Sequence, residues 1–162
     1  MKKIFVLRHS KSSWKDLSLG DFHRSLNSRG KTDAPMMSSY LSTRIDIIDF
    51  LHCSSSVRTY ETSKYFIERI NFINIEYDES LYLSSSLEII NNIKYYDEQY
   101  NSAIIIAHNP GLTNFINEIT NIMLDNLPTT GLVEINFDSA KWADISQDNS
   151  TVIDIKFPKQ LK

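Results

Sequence analysis

The chain has 162 residues, and this length predicts a single domain, 1–162, with room for a sizeable core. Hydrophobic residues make up 41% of the chain and charged residues 23%, which is typical of a globular protein and excludes intrinsic disorder. The formal net charge of −3 gives no general attraction to nucleic acid or to anionic lipid, so an anion site would have to be a local cluster of cations.

The cysteine content and the N-terminal pattern indicate where the protein resides. Cys53 is the single cysteine, so an internal disulfide is excluded and a reducing compartment is favoured. The apolar run 4–7 is too short for a signal peptide, because Arg8 and His9 interrupt it. No other stretch has the length and hydropathy of a membrane span. We therefore expect a cytoplasmic protein with no membrane or nucleic-acid partner.

Apolar runs of strand length alternate with segments of helical period along the whole chain. In chain order the pattern predicts a strand over 4–7, a helix over 27–44, strand 45–53, helix 57–70, strand 74–77, helix 86–96, strand 103–107, helix 112–123, and strands 131–137 and 151–157. Pro35 is a weak point of the first helix, since it lacks a backbone N–H. The last predicted helix has five apolar residues at core-facing spacing: Leu112, Phe115, Ile116, Ile119 and Met123.

Strands that alternate with helices predict an α/β fold. We expect a single three-layer domain with a mostly parallel central sheet and helices on both faces. The two C-terminal strands are joined by a polar, turn-rich connection, so they are expected to pair antiparallel.

Four residues with useful chemistry lie where predicted strands end. Arg8 and His9 follow the first strand, Arg58 follows the second, and His108 follows the strand over 103–107. Because ligands bind at the carboxyl ends of strands in open α/β sheets, we expect these four side chains to form one site.

Two guanidinium groups beside two imidazoles suit phosphoryl transfer. Arg8 and Arg58 each present a planar fork of donors that matches phosphate oxygens. A neutral imidazole is a competent nucleophile near pH 7, so His9 is the candidate for attack on phosphorus. His108 and the N-terminus of the helix 112–123 would stabilise the charge that develops on the phosphoryl oxygens. Since the two arginines supply the positive charge that a metal ion would otherwise provide, we expect no metal and no cofactor.

The other histidines and the cysteine point to structure rather than chemistry. His52 lies within a strand, His23 lies in a polar segment, and Cys53 is expected to be a small buried residue. A zinc site made of His9, His108 and Cys53 would use suitable residue types, but no closely spaced ligand pair anchors it.

At these positions the sequence resembles the histidine phosphatase superfamily, also called the phosphoglycerate mutase-like superfamily. The segment 7–14 is similar to its Arg-His-Gly signature, with Ser10 in place of Gly, and most closely to the branch of the SixA-type phosphohistidine phosphatases. The segment 21–30 resembles the Asp…Arg-Pro-Leu-Asn-x-Arg-Gly block of that branch, with Ser25 in place of Pro.

Three later segments extend the resemblance along the chain in the same order. The segment 54–62 resembles the Ser-x-x-x-Arg-x-x-x-Thr block of that branch. The segment 107–112 resembles its Gly-His-Asn-Pro block, with Ala107 in place of Gly. The segment 157–161 resembles its closing Pro-Lys-x-Leu. The resemblance implies a phosphoglycerate mutase-like fold.

The resemblance also implies roles for individual residues. His9 would be the phosphorylated nucleophile, and Arg8, Arg58 and His108 would complete the phosphate pocket. Arg24 would add a contact to the substrate phosphate. Ser10, at the glycine position of the signature, would also lie in the substrate pocket.

The general acid stays open at this point. Asp78 and Glu79 follow the third strand, and the spacing of Glu79 to Tyr82 resembles the Glu-x-x-Tyr of the mutase branch, so Glu79 is the candidate for this role. Alternatively, Asp78 and Glu79 have no catalytic role and only begin the loop after the third strand. An imidazole leaving group has a conjugate-acid pKa of about 6.5 and needs little help, whereas an alcohol needs a well-placed proton.

Three functions remain open on the sequence. The favoured one is a metal-independent phosphatase that acts on phosphohistidine in a protein through a phospho-His9 intermediate. The second is a phosphatase of small phosphomonoesters. The third, a phosphate-binding module without catalysis, is disfavoured because an imidazole adds less to anion binding than another cation would.

Overall fold

The computed structural model describes all residues from Met1 to Lys162. The main elements are β1 (Lys2–Arg8), α1 (Ser28–Ser42), β2 (Ile47–Ser54), α2 (Val57–Ile67), β3 (Asn71–Asp78), α3 (Ser86–Lys94), β4 (Ser102–Ala107), α4 (Gly111–Ile119), β5 (Leu132–Phe137) and β6 (Ser150–Lys156). Every predicted strand and helix is present, with ends that differ by a few residues from those expected.

The strands form one 6-stranded sheet in the order β3-β2-β4-β1-β5-β6. Neighbours from β3 to β1 are parallel, whereas β5 pairs antiparallel with both β1 and β6. The sheet is therefore mixed, as the strand pattern predicted: parallel where helices connect the strands, and antiparallel at its C-terminal side.

Both faces of the sheet are buried, which explains why β1 and β4 are apolar without alternation. Successive side chains of a strand point to opposite faces. Ile4 and Val6 accordingly pack in a core cluster with α3 and α4, while Phe5 and Leu7 pack in a second cluster with α1 and α2. This arrangement is the predicted three-layer fold with helices on both faces.

The first helix continues past the proline that the sequence marks as a weak point. Asn27 caps α1, since its side chain accepts a hydrogen bond from the N–H of Gly30 at 2.9 Å. Pro35 lies inside the helix, which nevertheless runs on to Ser42. The core contacts of Met37 and Leu41 beyond Pro35 explain why the loss of one backbone hydrogen bond is tolerated.

The fourth helix is shorter than predicted, and one of its expected core residues is exposed. It ends at Ile119 because the backbone of Thr120 is extended, and the Thr120 hydroxyl accepts a hydrogen bond from the N–H of Ile122. The chain therefore leaves the helix before Met123, whose side chain is 81% exposed. Helical spacing placed Met123 in the core, and that expectation was wrong.

None of the helices combines the length and the hydropathy that crossing a membrane would require.

Candidate active site

A cavity of about 350 Å³ lies at the carboxyl ends of β1, β2 and β4. Its lining includes all four residues that the sequence placed at strand ends, namely Arg8, His9, Arg58 and His108. The other lining residues are Lys11, Ser12, Trp14, Asp21, Arg24, Leu83, Asn109 and Thr129.

Strand pairing brings the two histidines together. Arg8 at the end of β1 lies opposite Ala107 at the end of β4, so His9 and His108 are the next residues on adjacent parallel strands. The N–H of His9 donates to the carbonyl of Ala107 at 3.2 Å, and the two imidazole centroids are 5.3 Å apart. Arg58 joins them from the first turn of α2, which follows the neighbouring strand β2.

The imidazole of His9 is neutral and has its lone pair directed at Arg58. Its Nδ1 lies 2.8 Å from the carbonyl oxygen of Ser10, which can only accept, so the ring proton is on Nδ1. The unprotonated Nε2 accepts a long hydrogen bond of 3.4 Å from Nε of Arg58. Burial lowers the pKa of His9 well below its ordinary value, and the nearby His108 and arginines lower it further.

His108 is also neutral, with the opposite tautomer. Its Nδ1 lies 3.3 Å from Nη2 of Arg58, which can only donate, so Nδ1 is the acceptor. The ring proton is therefore on Nε2, which donates to the hydroxyl of Ser54 at 2.8 Å. Burial, followed by the charge of Arg58, lowers the pKa of His108 to about 3.

The two strand-end arginines differ in how far their donors are used. Arg58 is 2% exposed and donates to Asp21 twice, from Nη1 to the backbone oxygen at 2.7 Å and from Nη2 to the carboxylate at 2.9 Å. Arg8 donates from Nη1 to the carbonyl of Leu127 at 3.0 Å, and its buried Nε has no hydrogen-bond partner. Arg8 therefore has more unused N–H donors than Arg58.

Asp21 is a residue of the cavity that sequence reasoning missed. Its carboxylate accepts hydrogen bonds from Arg58, Arg24 and the hydroxyl of Tyr82. Partial burial alone would raise its pKa, but the hydrogen bonds from Tyr82, Arg58 and Arg24 outweigh that effect and hold the pKa well below its usual range. Asp21 is the first residue of the 21–30 block, and this position in the motif could have identified it as a site residue.

Arg24 lines the cavity, as expected, and each of its three guanidinium nitrogens already donates one hydrogen bond. It donates to Asp21 from Nε and Nη2, and to the hydroxyl of Ser12 from Nη1 at 2.6 Å. The guanidinium also lies 3.5 Å from the ring centroid of Trp14. In this state Arg24 positions Asp21 and Trp14.

Two predicted site residues lie outside the cavity lining. Ser10 is fully buried; its N–H donates to Thr62 at 2.9 Å, and its hydroxyl accepts from Thr130 at 2.7 Å. Glu79 is exposed at the start of a 3-10 turn. That turn directs Tyr82 and Leu83 toward the site in place of the carboxylate.

The remaining candidate residues also lie elsewhere. Asp78 pairs with Nε2 of His52 at 2.9 Å on the outer strands of the sheet. His52 and Cys53 are buried in β2, and burial raises the pKa of the Cys53 thiol. His23 is exposed.

The chain is similar in sequence to two proteins of known source. A scan against protein-family models finds no match. A Mycobacterium leprae protein is 24% identical over 166 residues, covering 94% of this chain and 100% of the relative. A chloroplastic protein of Arabidopsis thaliana is 31% identical over 120 residues, covering 68% of this chain and 55% of the plant protein.

Solved structures share the fold over nearly the whole chain. SixA complexed with tungstate has a TM-score of 0.82 at 18% identity, covering 99% of both chains. A protein from Nakamurella multipartitia described as the phosphohistidine phosphatase SixA has a TM-score of 0.83 at 16% identity, covering 97% of this chain and 96% of its own. An Escherichia coli protein described as an α-ribazole-5′-P phosphatase has a TM-score of 0.71 at 12% identity, covering 98% of both. The chain therefore shares its fold with the solved structures described as SixA phosphohistidine phosphatases.

Proposed function

We propose that this protein is a phosphatase that transfers a phosphoryl group to Nε2 of His9 and then to water, and that its substrate is phosphohistidine in a protein. The observation that carries the proposal is the neutral His9 with Nε2 as its free nitrogen, beside Arg58, Arg8 and His108 in one cavity. Several solved neighbours are named as phosphatases, and one holds tungstate, a tetrahedral oxyanion like phosphate.

Phosphate binding would use the donors of both arginines. Arg8 has a free Nε and can turn unused N–H groups toward an anion, while Arg58 shares its donors with Asp21 and the two imidazoles. A phosphoryl dianion is a stronger acceptor than a neutral imidazole. It would therefore take over the Arg58 N–H groups that now point at His9 and His108.

Binding of the dianion also changes what His108 does. The pKa of His108 is lowered to about 3 by burial and by Arg58, so Nδ1 is an acceptor in the free protein. A dianion beside the ring favours the charged form. Nδ1 would then take up a proton and become a donor to a phosphoryl oxygen, while Ser54 holds the ring by its other nitrogen.

In the first chemical step Nε2 of His9 forms a bond to phosphorus as the bond from phosphorus to the leaving group breaks. The arginines and His108 stabilise the charge on the equatorial oxygens. In the second step water attacks the phosphorus, the bond to Nε2 breaks, and inorganic phosphate leaves with the proton balance made up by solvent. The Nδ1–H bond to Ser10 keeps the ring oriented in both steps.

The placement of Glu79 and the ionisation of Asp21 favour a substrate whose leaving group needs little protonation. Glu79 does not line the cavity, and Asp21 is held ionised by three donors, so neither is placed to give up a proton. An imidazole leaves with a conjugate-acid pKa of about 6.5, far below that of an alcohol. This contrast supports phosphohistidine over alkyl phosphates as substrate.

The test compares three substrates: a histidine-phosphorylated phosphotransfer protein, an aryl phosphate and an alkyl phosphate. We expect hydrolysis in the order phosphohistidine, aryl, alkyl, and a trapped phosphoryl group on His9 that is labile in acid and stable in base. His9→Asn should abolish both turnover and trapping. Turnover that survives in this variant would refute the covalent route.

Small phosphomonoesters are the second candidate substrate class. The likeness to a protein described as an α-ribazole-5′-P phosphatase favours it. A kcat/KM for any phosphomonoester above that for the phosphoprotein would assign the protein to this class. Because two arginines neutralise the phosphoryl group, we expect the same rates in excess EDTA, and a loss of activity there would contradict the metal-independent route.

A further inference from the structure

A second cavity, of about 300 Å³, lies away from the active site between the edge of the sheet and the C-terminal end of α3. Three carboxylates line it, those of Glu76, Asp78 and Asp97, and its lining contains no lysine or arginine. Glu76 and Asp97 take part in no ion pair, and Asp78 pairs only with His52. The cavity is therefore a pocket of negative charge without a compensating cation from the chain.

The geometry of the sheet gathers three metal-ligating side chains in this cavity. Glu76 and Asp78 are two residues apart on the edge strand β3, so both point to the same face. His52 lies directly opposite Glu76 on β2. One ligand atom from each of the three residues lies within 4.8 Å of the other two.

The structure around His52 is suited to a metal ligand. The residue is 3% exposed, and its Nδ1 lies 2.8 Å from the hydroxyl of Tyr96. Histidines that bind metals commonly have their second ring nitrogen fixed by such a partner. Nε2 now donates to Asp78; when an ion takes this position, the ring proton moves to Nδ1 and is donated to the Tyr96 oxygen.

We propose that His52, Glu76 and Asp78 bind a divalent transition-metal ion of the zinc class. Two carboxylates and a neutral imidazole give the set a charge that matches a dication. The imidazole nitrogen selects zinc-like ions over Mg²⁺ and Ca²⁺, which prefer oxygen. Ligand atoms around zinc lie roughly 3.4 Å apart. Only the exposed, flexible Glu76 side chain has to move appreciably to reach this distance.

The test is zinc binding to the purified full-length chain, followed by calorimetry, with Co²⁺ as a spectroscopic probe. We expect one ion per chain, a higher Tm with zinc, and tetrahedral Co²⁺ absorption bands. Mg²⁺ should bind at least a hundredfold more weakly. None of these readouts depends on phosphatase activity, so the result is independent of the proposed function.

Three variants locate the ion. Glu76→Gln should weaken zinc binding at least tenfold, and the variant should fold normally because Glu76 is exposed and forms no ion pair. Asp97→Asn is the matched control, since Asp97 lines the cavity outside the ligand set and its replacement should change the affinity less than threefold. His9→Asn should bind zinc like the parent.

Several outcomes would overturn the proposal. Equal losses in Glu76→Gln and Asp97→Asn would show a diffuse attraction of cations to the pocket rather than a ligand set. Loss of binding in His9→Asn would place the ion in the phosphate cavity. Binding of Mg²⁺ as tight as that of zinc would exclude His52 as a ligand.

Discussion

At the scale of single residues, the site depends on two neutral imidazoles held in opposite tautomers. The carbonyl of Ser10 fixes the proton of His9 on Nδ1, and Arg58 fixes the acceptor of His108 on Nδ1. One guanidinium therefore contacts both rings at distances of 3.4 Å and 3.3 Å. Arg58 is the residue on which the arrangement most depends.

Replacing Arg58 with lysine should lower kcat/KM about 100-fold, although the charge is kept. An ammonium group lacks the planar fork that reaches His9, His108 and the phosphate together, and groups that stabilise a developing oxyanion contribute about this factor. Steady-state rates on the best substrate give the measurement. Arg69→Lys, outside the cavity, is the control and should stay within twofold; a similar rate for both variants would contradict the role of the fork.

Asp21→Asn should strengthen the binding of inorganic phosphate or tungstate. The Asp21 carboxylate accepts a hydrogen bond from Nη2 of Arg58 and adds negative charge where the anion binds. Removing that charge should lower the inhibition constant about tenfold, which corresponds to about 1.4 kcal/mol. The inhibition constant from competition against substrate tests this prediction, and a higher value would show that Asp21 instead orients the arginine for binding.

At the scale of elements, the helix α1 shows how tightly the site loop is packed. A side chain at Gly30 would place its Cβ 2.2 Å from the carbonyl oxygen of Lys11. Lys11 belongs to the segment after β1 that lines the cavity. The glycine thus lets the helix and the site loop approach each other closely.

Gly30→Ala should destabilise the protein by about 2 kcal/mol or more, although alanine has a higher helix propensity than glycine. Alanine normally stabilises a helix interior by about 1 kcal/mol relative to glycine. Here the Cβ meets backbone, which cannot move aside without disturbing the loop. Urea denaturation gives the free energy of unfolding. Ser39→Ala on the exposed side of the same helix is the control, with a small gain expected; a gain in Gly30→Ala would contradict the close contact.

At the scale of the whole molecule, the buried histidines link stability to pH. The pKa of His108 is lowered from an ordinary value of about 6.5 to about 3 in the folded state. The unfolded chain therefore binds more protons between these two values, so the folded state loses stability as the pH falls through this range. His9, whose pKa is also lowered by burial, adds to the effect.

His108→Asn should remove part of this pH dependence. Between pH 7 and pH 5 the wild type should lose about 2 kcal/mol of unfolding free energy relative to the variant. Denaturant titrations of both proteins at the two pH values measure the difference. His23→Asn, at an exposed histidine, is the control. If wild type and His108→Asn lost the same unfolding free energy between the two pH values, the pKa of His108 would not differ between the folded and unfolded states.

The sequence by itself determined the alternation of strands and helices and the four strand-end residues of the site. Both follow from local periodicity together with the rule that parallel strands end at the same edge. The tertiary structure decided the positions of the non-periodic segments. It brought Asp21 into the cavity lining, where its carboxylate accepts a hydrogen bond from Tyr82, and placed Ser10 and Glu79 outside the lining. The conformation of loops is set by packing and by hydrogen bonds between distant segments, which leave no period in the sequence. The end of α4 before Met123 is a smaller case, since the side chain of Thr120 stops a helix that the apolar spacing would continue.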